Sequence, residues 1–213
     1  MKVWAIIPVK PLNRAKSRLS DVLTPEERQR LAERMLRHML EVIQAVPQII
    51  GTLVISRDNK VLAIAREYNA LTVQESGSPE LNKALTRATQ VVSTWRADSV
   101  IILPADLPLI QPEDISQMIH KGQQRGVSVV IATDHQQDGT NALFIRPPGV
   151  IPYAFGQNSF TTHCEMAREA DINLYIYESE RVSLDIDLPE DLEYYRQLAS
   201  EMDLALLDLI APE

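Results

Sequence analysis

Residues 100–109 are VIILPADLPL, an apolar run halted by a proline, a carboxylate and a second proline. A run of that length with β-branched residues is a buried strand, and the prolines on either side of the acid keep a helix from continuing it. Asp106 therefore sits at the carboxyl end of a central strand. In open α/β sheets that edge is where ligands bind, so an acid placed there is a better metal-ligand candidate than one on a solvated helix face. A turn carboxylate that caps the next segment is the plain alternative. Residues 3–9 form a second apolar run of strand length, ended by Pro8 and Pro11. It is read as a central parallel strand, buried on both faces and so in need of helices to cover it.

The chain between these runs supplies helices and further strands in alternation. Thr24-Pro25-Glu26-Glu27 combines an N-cap, a proline at the first helical position and a Glu at the third. Leu31, Met35, Met39, Val42 and Val46 then recur at helical spacing as far as Pro47. A strand at 53–56, a short helix capped by Asp58 and running to about Tyr68, and a strand at 71–73 complete a β-α-β-α-β pattern. A polar loop from Glu75 enters a helix over 80–95. Gln111-Pro112-Glu113-Asp114 opens another to about residue 124, its first-turn acids being ordinary dipole complementation. Strands are predicted at 127–132, 142–145, 172–177 and 182–188, with Asp138-Gly139-Thr140-Asn141 as the turn before the second of them. Pro189 opens the last helix, and residues 203–213 are expected to be partly helical or frayed. With 213 residues and 45% apolar content, the chain is expected to form a single domain over 1–213.

Composition excludes several classes. A net charge of −8 argues against duplex nucleic acid as the main partner. The single cysteine, Cys164, permits neither an intramolecular disulfide nor zinc spacing, and is read as a small apolar residue of a helix. MKVWAIIPVK is too short for a signal peptide and no run of 18 apolar residues occurs, so no membrane is expected and a cytoplasmic location is.

Within this acidic chain, Lys10, Arg14, Lys16 and Arg18 place four cations in nine residues directly after the first strand. Such a local concentration suits a polyphosphate, with lysines as point charges and arginines as forks; a solvated basic loop is the alternative. There is no GxGxxG and no GxxxxGK[ST], so phosphate binding here rests on side-chain charge more than on a glycine cradle. Asn82 and Lys83 open the 80–95 helix on the same edge, where they hydrogen-bond a ribose or base or are solvated helix residues. Phe155-Gly-Gln-Asn-Ser-Phe-Thr161 precedes a helix and offers backbone amides to an anion, with Ser159 as N-cap the structural alternative. His163, one turn into that helix, is given no catalytic role. In an extended 182–188 segment Asp185 and Asp187 share one face and Leu184, Ile186 and Leu188 the other. Two like charges side by side are unfavourable unless a cation lies near them.

Six blocks in order, PVKPLNRAKSRL (8–19), ELNKAL (80–85), PADLPL (104–109), DGTN (138–141), FGQNSF (155–160) and LDIDLPEDL (184–192), resemble the 2-phospho-L-lactate guanylyltransferase family. That family includes the bacterial phosphoenolpyruvate guanylyltransferases of deazaflavin coenzyme F-420 biosynthesis. The likeness extends to about residue 200; the first and third blocks are shared with the wider nucleotidyltransferase superfamily, and the last three point to this family. The resemblance implies a single-domain, glycosyltransferase-A-like, three-layer α/β/α fold with a mostly parallel mixed sheet. It implies an enzyme that joins GTP to a phosphorylated three-carbon acid and releases pyrophosphate. By motif, Asp106, Asp185 and Asp187 match the Mg²⁺ ligands, and Thr140, Gly156 and Ser159 the acid contacts. Lys10, Lys16 and Arg18 match the triphosphate loop and Asn82 the nucleoside contact, with Asp106 and Lys16 as the catalytic pair. A phosphate nucleophile is already ionised at neutral pH, so the reaction needs no general base. A nucleotidyltransferase of molybdopterin or sugar-nucleotide type, a glycosyltransferase and an idle nucleotide-binding module are the alternatives. The acceptor (phosphoenolpyruvate, 2-phospho-L-lactate or 3-phosphoglycerate), guanine selection and a homodimer are left open.

Overall fold

Every residue from Val3 to Ile7 is buried, as a strand covered on both faces requires. A computed structural model of the chain describes residues 1–76 and 80–202. Its strands are β1 (Val3–Val9), β2 (Ile49–Ser56), β3 (Leu71–Gln74), β4 (Ser99–Ile102), β5 (Ser128–Thr133), β6 (Thr140–Arg146) and β7 (Asn173–Ile176). They form one 7-stranded sheet in the order β3-β2-β1-β4-β6-β5-β7. Only β6 runs antiparallel to its neighbours, so the sheet is mostly parallel and mixed.

The helices are α1 (Pro25–Gln44), α2 (Asn59–Glu67), α3 (Leu81–Thr94), α4 (Pro112–Gln123), α5 (Ser159–Glu169), α6 (Glu180–Ser183) and α7 (Pro189–Glu201). Side-chain alternation along β1 sorts its residues between two cores. Val3, Ala5 and Ile7 pack with Leu36, Met39 and Ile43 of α1 and Ile115 and Met118 of α4. Trp4 and Ile6 pack with Leu85, Ala88 and Val92 of α3 and Cys164 of α5. The result is the three-layer α/β/α arrangement. The start of α1 is closed by a capping box, Glu27 N donating to Thr24 Oγ1 at 3.2 Å and Thr24 N to Glu27 Oε2 at 2.8 Å, a device worth about 1 kcal/mol.

A third, smaller core decides where the charged groups sit. Leu19, beside Arg18, packs with Leu184 and Ile186, which flank Asp185, and with Leu192, Tyr195 and Leu198 of α7. The last helix thereby ties the basic loop to the second acidic segment, although the two are more than 160 residues apart in the chain.

The structure changes some local readings. Residues 182–188 are not a strand: the chain forms α6 and then runs irregularly from 184 to 188. Its backbone makes isolated bonds instead of a ladder, His135 N to Ser183 O at 3.0 Å and Ile186 N to Asp106 O at 3.3 Å. The two-residue alternation survives, with Leu184 and Ile186 buried and Asp185 and Asp187 partly exposed, because an extended backbone alternates with or without a partner strand. Thr140 and Asn141 belong to β6 rather than to a turn. The turn lies before them and is held by Asp134, whose carboxylate accepts from Asp138 N and Gly139 N, both at 2.9 Å. Ser159 is the first residue of α5; its N-cap is Asn158, in a left-handed conformation. The Gly-Ser-Pro part of the loop at 77–79 and the tail from residue 203 lie outside the described residues.

Candidate active site

The basic loop leaves β1 at Lys10 and makes two 3-10 turns, Leu12–Arg14 and Ser17–Leu19, with Lys16 between them in a left-handed conformation (φ 53°). Leu12 N donates to Asp58 Oδ2 at 2.9 Å, so the residue that caps α2 also anchors this loop. The Lys16 side chain, only 7% exposed, donates from Nζ to Asp106 Oδ2 and Asp187 Oδ1, both at 2.9 Å. Burial works against the ammonium charge, but the two carboxylates outweigh it and the pKa is raised. Arg18 lies at the rim, Nη1 3.8 Å from Asp187 Oδ2 and 70% exposed. Lys10, Arg14, Lys16, Asp106 and Asp187 line one cleft of ≈ 440 Å³, with Phe155 also on its wall.

Asp106, Asp185 and Asp187 each present a carboxylate oxygen, and all of these oxygens lie within 4.8 Å of one another. Burial, followed by repulsion from Asp106, pushes the Asp185 carboxyl up to about 6, despite the hydrogen bond from Asn141. At Asp106 burial also acts upward, but Lys16 overcomes it and holds the carboxyl below its usual range. One ammonium faces three carboxylates, so the cluster keeps excess negative charge. An all-oxygen set of this kind could bind a hard divalent cation.

The backbone that carries Asp185 and Asp187 is pinned on both sides. Upstream, the fully buried Asp114 takes a bidentate pair of bonds from Arg181 of α6, Nε and Nη2 both at 2.8 Å, with Tyr177 Oη at 2.9 Å and Ser179 Oγ at 3.0 Å. Downstream, Asp191 Oδ2 accepts from Asp187 N at 2.8 Å and Leu188 N at 2.7 Å. Asp114 therefore does more than complement a helix dipole. A first-turn acid of α4 cannot be told from a simple cap until Arg181, 67 residues on, is seen to reach it.

Thr140 of β6 and the backbone at Ala154, two residues before Gly156, both meet His163, which lies one turn after Ser159 in α5. Thr140 Oγ1 is 3.1 Å from His163 Nδ1, and Ala154 N donates to His163 Nε2 at 2.9 Å. Gly156 has φ 141°, and a Cβ there would meet nothing within 4 Å. Conformation, rather than crowding inside the protein, calls for glycine at this position. Asp138 secures the far side of the loop through Asn158 N at 3.1 Å. Asn82, expected to meet ribose or base, has its carboxamide engaged: Nδ2 donates to Phe155 O at 3.1 Å and Oδ1 accepts from Phe155 N at 2.8 Å. It joins the first turn of α3 to the 154–158 loop, while Lys83 is 81% exposed and paired with Glu80, as a solvated helix residue would be.

The fold thus places Lys16, Asp106 and Asp187 in direct contact, Asp185 beside them and Arg18 at the edge. Asn141 links the two halves: it follows Thr140 in β6 and donates from Nδ2 to Asp185 Oδ1 at 3.3 Å and to Val182 O at 3.0 Å. Its motif is visible in the sequence, but strand alternation alone does not say that it faces an acid more than 40 residues away.

The family model described as guanylyl transferase CofC like matches residues 2–195. A phosphoenolpyruvate guanylyltransferase of Rubrobacter xylanophilus is 38% identical over 192 residues, covering 90% of this chain and 92% of the relative. A 2-phospho-L-lactate guanylyltransferase of Methanocaldococcus sp. FS406-22 is 36% identical over 193 residues, covering 90% and 79% respectively. Among solved structures, a nucleotidyl transferase from Methanothermobacter thermautotrophicus superposes with a TM-score of 0.68 over 94% of this chain and 99% of that one. At 12% identity this last likeness concerns the fold alone.

Proposed function

The chain belongs to the CofC-like guanylyl transferase family, and from that membership we propose that it transfers GMP from GTP to the phosphate of phosphoenolpyruvate or 2-phospho-L-lactate, in coenzyme F-420 biosynthesis. A phosphate oxygen of the acid attacks the α-phosphorus of GTP; the new P–O bond forms as the bond to the β-phosphate oxygen breaks, and pyrophosphate leaves. The attacking oxygen is already anionic, so nothing in the site has to remove a proton. The work of the protein is alignment and charge neutralisation.

The observation that carries this reading is the meeting of a cationic loop with three carboxylates at one sheet edge, Lys16 Nζ lying 2.9 Å from Asp106 and from Asp187. Lys10, Lys16 and Arg18 bind the triphosphate, and Lys16 and Asp106 act as the catalytic pair. The crowded all-oxygen cluster fits Mg²⁺, which Asp106, Asp185 and Asp187 would hold. An ion held there would supply positive charge to offset that building on the α-phosphate and the departing pyrophosphate. The acid is taken by Thr140, Ser159 and the backbone at Gly156, since amide and hydroxyl donors beside a helix N-terminus suit its two anionic groups. Asn82 acts on the nucleoside side through the Phe155 loop that it holds.

The test is a panel of GTP, ATP and CTP against phosphoenolpyruvate, 2-phospho-L-lactate and 3-phosphoglycerate, read by pyrophosphate release and product mass. Release with GTP and one of the first two acids is expected. No release with any pair would refute the reading.

A further inference from the structure

We propose that His163 is a positioning residue for the acid acceptor: it fixes the Thr140 hydroxyl as a hydrogen-bond donor toward the acceptor and holds the loop that leads to Gly156. This rests on the assignment of Thr140, Gly156 and Ser159 to the acid. The backbone N–H of Ala154 can only donate; His163 Nε2, 2.9 Å away, must therefore be an unprotonated acceptor. A neutral imidazole then carries its hydrogen on Nδ1. Thr140 Oγ1, 3.1 Å away, and the Ser159 carbonyl are the acceptors beside the ring, and an Nδ1 that carries its hydrogen cannot accept from the hydroxyl, which therefore keeps its own hydrogen. Among the described residues no acceptor takes that hydrogen, although Thr140 is only 6% exposed. A buried hydroxyl hydrogen without a partner is costly, and an anionic oxygen is the group that best satisfies it.

The surroundings keep the ring in this state. His163 is fully buried, and burial pushes its pKa down to about 4. Phe155 meets it edge-on with ring centroids 5.1 Å apart. The same ring thus sets the polarity of Thr140, anchors Ala154 two residues before Gly156, and rides on α5 one turn after Ser159. All three residues assigned to the acid are indexed to one side chain that touches neither substrate.

The experiment compares His163→Gln, His163→Asn, Thr140→Val and the Thr140→Val/His163→Gln double variant. Gln can still accept from Ala154 N but has no group at the Nδ1 position; Asn can still donate to Thr140. We expect His163→Gln to raise KM for the acid roughly 10–100-fold, the range for loss of a hydrogen bond to a charged group. KM for GTP should stay within about two-fold, His163→Asn should restore most of the loss, and Thr140→Val should add little on top of His163→Gln. Circular dichroism and equilibrium binding of GTP verify that each variant is folded. Equal rises in both KM values, no rescue by Asn, or additive effects in the double variant would overturn the role of His163 while leaving the acceptor assignment intact. If the wild-type protein neither binds nor uses any phosphorylated three-carbon acid, the acceptor assignment and this inference both fail.

Discussion

Replacing Lys16 by Met should weaken catalysis and yet tighten divalent metal binding in the free protein. In the structure its ammonium occupies the gap between Asp106 and Asp187, 2.9 Å from each, and so stands where a cation shared by those acids has to come. Removing one partner of a fully buried ion pair costs about 3–5 kcal/mol. Here the carboxylate side chains are 30% and 43% exposed, so solvent screening reduces the expected loss to about 2 kcal/mol in metal-free protein. For a chain of 213 residues that corresponds to a fall in Tm of about 4–8 °C. The same release of competition, if worth about 1–2 kcal/mol, tightens Kd for Mg²⁺ or Mn²⁺ about 5- to 30-fold. With nucleotide present the lysine is needed on the phosphates, and turnover should drop by about 10²–10³. Calorimetric titration of Mn²⁺ without nucleotide, melting curves with EDTA or Mg²⁺, and pyrophosphate release measure the three effects. Metal binding that is unchanged or weaker in Lys16→Met would refute the reasoning, because the ammonium and the metal would then not compete for the same carboxylates.

Two further outcomes follow from the acidic cluster. Asp106→Asn removes a ligand charge with almost no change in shape, so turnover should fall by at least about 10²-fold while the circular dichroism spectrum is kept; near wild-type turnover at saturating Mg²⁺ would contradict its role. Asp185, pushed up to about 6 from an ordinary 3.8, makes the metal-free fold bind an extra proton between those two values. Its ionised form therefore costs stability above about pH 6, by roughly 2–3 kcal/mol, and costs nothing below about pH 4. In EDTA, Asp185→Asn should melt higher than wild type at about pH 8, with the gain shrinking as pH falls through 6. A gain independent of pH would mean that repulsion within the cluster is not its source.

How much of this is legible in the chain depends on the range of the interactions. The β1 and β4 runs, the Thr24 capping box and the α1 stripe are written in residues close together, and periodicity with local capping chemistry specifies them before any long-range contact forms. Composition and motif order likewise exposed the cationic 10–18 segment and each of the three aspartates as separate features. What tertiary structure alone decided is their relation. Lys16 reaches Asp187 because Leu19, Leu184, Ile186 and the apolar face of α7 bury one another, and no local pattern links positions so far apart in the chain. The 182–188 segment alternates like a strand but has no ladder, since alternation reports which side is buried and not what the backbone bonds to. His163 carried no signal as a lone helical histidine. Its part emerges only where the folding of β6 and the 154–158 loop brings a hydroxyl to one ring nitrogen and an amide to the other, because a tautomer is set by both neighbours at once.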